Sequence, residues 1–153
     1  MKLSTQIRAF AGAAVLIGGL FWAPGAAAAE TPATLAGGTL VTADKVKALF
    51  DSGAAMIDTR VANEYAESHI KGAKSIPYKE KSPKAADFNA SDDSFDLSKL
   101  PADKNAPVVM YCNGAECWKS YKASVVAAKA GYKKVNWFRG GIPEWKSKGY
   151  PVE

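Results

Sequence analysis

The sequence predicts an α/β domain built on a central, mainly parallel sheet with helices on both faces. Short apolar runs at Ala54–Asp58, Val108–Tyr111 and Val135–Phe138 have the length of buried strands. Each is followed by a stretch with helical patterning, and that alternation implies parallel pairing with covered faces. Asp58, Cys112 and Arg139 fall at the carboxyl ends of these runs, where such folds gather their functional groups.

The chain opens with Lys2 and Arg8, an uncharged apolar run from Ala9 to Trp22, and Ala27-Ala28-Ala29 before Glu30. This is the pattern of a secretory signal cleaved after Ala29. The apolar run is 14 residues long, whereas a bilayer span needs about 17–25; an uncleaved anchor is the alternative. Residues 30–38, rich in Ala, Thr and Gly, are expected to form a flexible lead-in, and 39–153 a single domain. Leu40-Val41 suggests a short strand. Thr42 is placed to cap a helix over Ala43–Ser52, which Gly53 ends. A short helix is expected over Val61–His69, an alanine-rich helix over Ser120–Ala130 stopped by Gly131, and a last one over Ile142–Lys148. The polar segment from Lys79 to Asn105 reads as a solvated connection, with a substrate lid or docking surface as the alternative; only Phe95–Leu100 promises a helical turn.

The chain carries 20 basic and 15 acidic residues, a formal charge of +5, and loss of Lys2 and Arg8 with the signal reduces that excess. With no basic stripe interleaved with aromatics, no nucleic-acid role is expected. Export places the two cysteines, Cys112 and Cys117, in an oxidising compartment. A functional thiol there requires a sulfur or electron partner, such as a periplasmic reductant.

Both cysteines lie in Tyr-Cys-Asn-Gly-Ala-Glu-Cys-Trp-Lys-Ser, directly after the Val108–Tyr111 strand. A disulfide across so short a loop would add little global stability, because the loop-closure entropy it removes is small. Chemistry is the better explanation. A cysteine between a strand and a helix start can sit among inward-pointing backbone N–H groups and near the positive end of the helix, both of which favour an anionic sulfur. Asn113, Gly114, Ala115, Glu116, Trp118 and Lys119 complete the loop; Gly114 lets the chain curl, and Lys119 and Lys122 could favour an anion on Cys112 or its substrate. These features single out Cys112 as nucleophile and leave open whether the cradle holds a thiolate, a persulfide or an oxyanion.

The stretch from Met56 to Pro77, with Asp58, Arg60, Glu64, His69-Ile70 and Gly72-Ala73, followed by Val108-Val109-Met110-Tyr111-Cys112 and by Gly140-Gly141 with Trp145, resembles a single-domain rhodanese, a sulfurtransferase. The resemblance covers nearly the whole chain expected after cleavage and implies a three-layer fold with about five strands. It implies that Cys112 takes sulfane sulfur from a small anion such as thiosulfate, forms a persulfide, and passes the sulfur to a thiol, a protein acceptor or cyanide. No metal or organic cofactor is required, and a monomer free of the membrane after signal cleavage is expected.

The loop departs from the usual rhodanese pattern. It is about two residues longer, has no arginine, and contains Glu116. A longer loop resembles the phosphatases and arsenate reductases of the same fold, but those use a loop arginine, and an acid at 116 would repel a dianion. Cys117 has three chemical readings: a thiol resolving a Cys112 persulfide with release of sulfide, a reversible disulfide protecting or silencing Cys112, and a second sulfur carrier. The plain alternative is a small side chain packed under Trp118.

Elsewhere, Asp58 and Arg60 are expected to form an ion pair supporting the loop, and Arg139 to contact substrate. The resemblance implies that His69 fixes a turn, and Trp118, Trp137 and Trp145 are expected to be core or rim aromatics. With one histidine and two cysteines, no metal spacing is present. Two other functions remain open: a non-catalytic sulfur-carrying or partner-binding module, and a Cys112/Cys117 thiol redox protein.

Overall fold

A computed structural model describes residues 29–153. Five strands, β1 (Thr39–Leu40), β2 (Ala55–Asp58), β3 (Lys74–Ser75), β4 (Val108–Tyr111) and β5 (Val135–Phe138), form one sheet in the order β1-β5-β4-β2-β3. All four pairings are parallel. The helices are α1 (Ala43–Asp51), α2 (Ala62–Glu67), α3 (Trp118–Lys129) and α4 (Gly141–Ser147). Residues 1–28 of the expected signal lie outside the described residues. Among the described residues, no helix is long and apolar enough to cross a membrane.

Alternation along the strands divides the core into two layers. Ile57, Val108, Met110, Val135 and Trp137 point to the side covered by α3, where they meet Trp118, Tyr121, Ala123 and Val125. Met56, Val109, Tyr111 and Phe138 point to the other side, against Ala43 and Val46 of α1 and Ile142 and Trp145 of α4. A strand buried on both faces must be apolar at every position, which is why β4 reads Val-Val-Met-Tyr with all four residues buried.

Several boundaries differ from the sequence expectation. Helix α3 starts at Trp118, two residues earlier than expected, so Lys119 and Ser120 belong to its first turn. Helix α2 ends at Glu67, and His69 lies beyond it. Strand β3 was not legible as a strand; its two residues gain order by pairing with Ile57 and Asp58. The 79–105 segment contains two short 3₁₀ turns, Ala90–Asp92 and Leu97–Lys99, capped by the Asn89 and Asp96 side chains. Thr42 precedes α1 but makes no side-chain cap; the Ala43 N–H donates instead to Glu144 Oε1 of α4 at 3.0 Å.

The lead-in over 30–38, expected to be flexible, is laid against the domain. Leu35 joins the α3-side core. Thr31 is 3 % exposed and hydrogen-bonded to the loop that follows β4.

Candidate active site

Strand β4 is the central strand, and Cys112 follows its last residue. Cys112 is only 1 % exposed. Its Sγ is bonded to Cys117 Sγ, with the two Cα atoms 6.3 Å apart. The loop between them is built from its own backbone: Gly114, at φ 123°, curls the chain, and its carbonyl accepts the Cys117 N–H at 3.0 Å. Cys117 is the N-cap residue of α3, so the sulfur pair lies where the helix presents unpaired N–H groups and partial positive charge.

One side chain addresses the buried sulfur directly. Ser120 Oγ lies 3.2 Å from Cys112 Sγ and accepts the Trp137 indole N–H at 3.1 Å. With that lone pair engaged, the Ser120 proton is free to be donated to sulfur, and such a bond is stronger to an anionic acceptor than to a neutral one. The Cys117 carbonyl is 3.3 Å from the same Sγ. That contact is a hydrogen bond only when the sulfur carries a proton, so the serine favours the thiolate and the carbonyl the thiol.

The rest of the loop is clamped from three directions. Asn113 Nδ2 donates to Glu64 Oε1 of α2, and Glu64 Oε2 also accepts the Val61 N–H. The Ala115 carbonyl accepts both the N–H of Thr31, at 2.9 Å, and its hydroxyl, at 2.6 Å. In the uncleaved chain the Trp118 indole also donates to the Ala29 carbonyl at 2.8 Å, a contact that cleavage after Ala29 would remove. From below, the Ile142 N–H donates to Cys112 O at 3.0 Å. That approach requires Gly141: its φ is 62°, and a Cβ there would stand 2.2 Å from Cys112 O. Glu116 is exposed.

Asp58 and Arg60 form a buried, two-pronged ion pair, with Nη2 to Oδ2 at 2.6 Å and Nε to Oδ1 at 3.0 Å. Arg60 also donates to the Ser68 carbonyl, which ties the β2 exit to the end of α2. Thr59 bonds Tyr111 O through both its N–H and its hydroxyl, joining the β2 and β4 ends beside the cysteine.

Two expected substrate contacts are engaged elsewhere. Arg139 donates to Thr31 Oγ1 and Thr31 O and pairs with Glu30; it holds the lead-in over the loop instead of presenting a free guanidinium. Lys122, expected to favour an anion on Cys112, is fully buried and faces the 79–105 segment. Its ammonium donates to Ser82 O and Oγ and lies 2.9 Å from Glu80 Oε2 and 3.8 Å from Asp93 Oδ2. A buried lysine keeps its charge only with such partners, and this cluster explains why the polar segment is ordered. Burial acts to raise the Asp93 carboxyl pKa, but hydrogen bonds from Ser82, from the Lys81 backbone and from Tyr78 hold it well below the usual carboxylate range.

His69 stacks on Tyr65 at 3.7 Å, contacts Tyr65 O through Nδ1 and lies 3.4 Å from Glu153; it secures the C-terminal residues and does not join the cysteine loop. Trp137 and Trp145 are core residues. No group of three His, Cys, Asp or Glu side chains able to hold a metal occurs among the described residues.

Open depressions flank the loop. One of about 470 Å³ lies on the β2–β3 side and is lined by Val61, Ala62, Pro77, Tyr78, Lys79, Glu80 and Lys119. The other, about 360 Å³, lies on the β5–β1 side and includes Thr42, Ala115, Arg139 and Glu144. Of the loop cations, only Lys119 faces a depression without being tied into a buried network.

The family model of the rhodanese-like domain matches residues 42–148. The chain belongs to the rhodanese-like domain family. Thiosulfate sulfurtransferase 18 of Arabidopsis thaliana is 30 % identical over 115 residues, covering 73 % of this chain and 81 % of that protein. An HTH-type transcriptional regulator of Mycobacterium tuberculosis is 32 % identical over 98 residues, which are 64 % of this chain but 37 % of the regulator, so the likeness reaches only part of it. The solution structure of a rhodanese-like domain from Anabaena shares the fold, with a TM-score of 0.56 at 24 % identity over 74 % of this chain and 77 % of the other. The five-stranded parallel sheet with helices on both faces is thus the rhodanese-like architecture.

Sequence reasoning missed two parts of this rhodanese-like site. Ser120 was read only as a helix start; its spacing of eight from Cys112 hid it, because the loop is long. Thr31 lay in a stretch with no periodic pattern, and nothing local announces that its hydroxyl reaches a residue 84 positions away.

Proposed function

We propose that this rhodanese-like chain is an exported sulfurtransferase that carries sulfane sulfur on Cys112. The observation that carries the reading is the buried Cys112 sulfur at the end of β4, with the Ser120 hydroxyl 3.2 Å away as a donor. The activity in the name of the Arabidopsis relative supports the same chemistry. In the reduced loop, the Cys112 thiolate attacks the outer sulfur of a donor such as thiosulfate. The donor S–S bond breaks, sulfite leaves with the electron pair, and Cys112 holds a persulfide. A thiolate or cyanide then attacks the terminal sulfur, and Cys112 leaves as thiolate. For loading from thiosulfate the disulfide must first be opened, as a dithiol reductant does, since a sulfur bonded to Cys117 is no nucleophile. Export rests on the Lys2, Ala9–Trp22 and Ala27–Ala29 pattern, with cleavage after Ala29.

The test is the intact mass of reduced protein after thiosulfate treatment. A gain of one sulfur, lost on adding cyanide and absent in Cys112→Ser, supports the reading. The Cys112–Cys117 disulfide favours a second reading, a thiol redox protein. It predicts no sulfur gain from thiosulfate, polysulfide or a mercaptopyruvate-type donor, with reversible loss and gain of two hydrogens. N-terminal sequencing of protein recovered from the periplasm tests export: a chain beginning at Glu30 supports it, and a soluble chain beginning at Met1 refutes it.

A further inference from the structure

The two sulfurs of the oxidised loop are not equivalent. Cys112 is 1 % exposed and enclosed by the β4 end, Ser120 and Trp137, whereas Cys117 is only half-buried, at the rim where α3 begins. A nucleophile arriving from solvent therefore reaches Cys117 first. The second asymmetry lies in the leaving group. When a thiolate opens a disulfide, the bond breaks more readily if the departing sulfur is stabilised as an anion. Cys112 has the Ser120 hydroxyl oriented toward it by Trp137, and among the described residues no side-chain hydrogen bond of this kind reaches Cys117. Access and departure thus point the same way: attack at Cys117, release of Cys112.

We propose that the oxidised loop is itself a sulfur-loading device, which takes up hydrosulfide at Cys117 and hands the sulfur to Cys112. This rests on the sulfurtransferase reading, because the product is the same Cys112 persulfide. In the first step HS⁻ attacks Cys117 Sγ; a new S–S bond forms, the Cys112–Cys117 bond breaks, and its electron pair leaves on Cys112. The result is a Cys117 persulfide and a Cys112 thiolate. In the second step the Cys112 thiolate attacks the outer sulfur of that persulfide, the sulfur moves with its proton, and Cys117 is left as thiolate. Sulfide is oxidised to the sulfane level and the disulfide is the oxidant, so one oxidised loop takes up one sulfur. Thiosulfate is not needed. The direction is opposite to a resolving cysteine that discharges sulfide, and the burial of Cys112 in the closed loop is what favours uptake at Cys117.

The experiment uses oxidised wild-type protein, its disulfide verified by the loss of two hydrogens, mixed anaerobically with one equivalent of sodium sulfide. It is quenched at successive times with an alkylating reagent. Glu116 lies between the two cysteines, so a glutamate-specific protease separates them for mass spectrometry. The expected result is an alkylated persulfide first on the Cys117 fragment beside an alkylated Cys112 thiol, then transfer of the extra sulfur to the Cys112 fragment. Reduced protein and Cys117→Ser, neither of which holds the oxidant, are expected to gain no sulfur from sulfide. Persulfide appearing first on Cys112 overturns the proposal, as does sulfur gained by Cys117→Ser or by the reduced protein. No gain by oxidised protein also overturns it. Thiosulfate loading of reduced protein is scored in parallel: if it persists while sulfide uptake fails, this inference falls and the sulfurtransferase reading stands; if both fail, both fall.

Discussion

The hydroxyl of Ser120 stands between Trp137 and Cys112, accepting from the indole at 3.1 Å and facing the sulfur at 3.2 Å. A hydrogen bond to a charged group contributes about 1.5–3 kcal/mol, and 1.4 kcal/mol is a factor of ten. Ser120→Ala is therefore expected to slow alkylation of reduced Cys112 at neutral pH about tenfold or more, read on the Cys112 fragment alone. Trp137→Phe keeps most of the core volume but frees the hydroxyl to turn, and a smaller slowing is expected. Equal rates in wild type and Ser120→Ala would mean that the serine packs against the sulfur without stabilising its anion.

Gly141 allows the α4 start to press against the cysteine loop. An alanine there meets Cys112 O at 2.2 Å and Gly114 N at 2.8 Å, besides its φ of 62°. Gly149, at φ 69°, has open space around it, so Gly149→Ala isolates the backbone cost, about 1–2 kcal/mol. Gly141→Ala is expected to lose clearly more stability in urea unfolding and to impair sulfur loading, while Gly149→Ala leaves loading intact. Similar losses in the two variants would show that the contact with Cys112 is relieved without consequence.

The central strands and the place of Cys112 at the end of one of them were legible in the sequence because they rest on local signals. Val108–Tyr111 is apolar at every position, being buried on both faces, and Cys112 follows it directly. Strand β3 was not legible, since Lys74–Ser75 has neither length nor apolar character and is a strand only because β2 offers it a partner. The same holds for charge. Lys122 falls near Cys112 in sequence, but in the first turns of α3 the helical rotation carries it to the opposite side, where Ser82, Glu80 and Asp93 were waiting in a segment that reads as solvated. Arg139 was placed correctly at a strand end, but its partner Thr31 lies 108 positions away and carries no pattern of its own.

Thr31 fastens the lead-in to the site through its N–H and hydroxyl on Ala115 O and through Arg139 on its own oxygens. Thr31→Ala removes the two hydroxyl bonds and keeps the two backbone ones, from its N–H to Ala115 O and from Arg139 to its carbonyl. At about 1 kcal/mol for a net hydrogen bond, a loss of about 1–2 kcal/mol in stability is expected. Amide exchange should quicken in residues 113–117 while the β4 amides stay protected. Unchanged loop exchange would show that the loop holds its shape without the lead-in.

Asp93 provides a test of the buried cluster through pH. Its carboxylate accepts from Lys81 N, Ser82 N, Ser82 Oγ and Tyr78 OH, and these bonds hold its pKa in the folded protein well below that of an ordinary carboxylate. For a carboxyl with a depressed folded pKa, the native state binds fewer protons than the unfolded chain. Its contribution is fully present above the unfolded pKa and is lost as pH falls from about 4 toward the folded value. Asp93→Asn cannot titrate, and it also leaves the buried Lys122 ammonium with one acidic neighbour fewer. The variant is expected to be less stable than wild type at pH 7 by about 1.5–3 kcal/mol, the worth of a hydrogen bond to a charged group, because Glu80 still stands 2.9 Å from the Lys122 ammonium. The gap should narrow as both proteins are taken from pH 4 to pH 2, because only the wild type loses the Asp93 contribution there. Urea unfolding midpoints at pH 7, 4, 3 and 2 measure this directly, and a gap that stays constant across the acid range would place the acid sensitivity of the fold in other carboxylates.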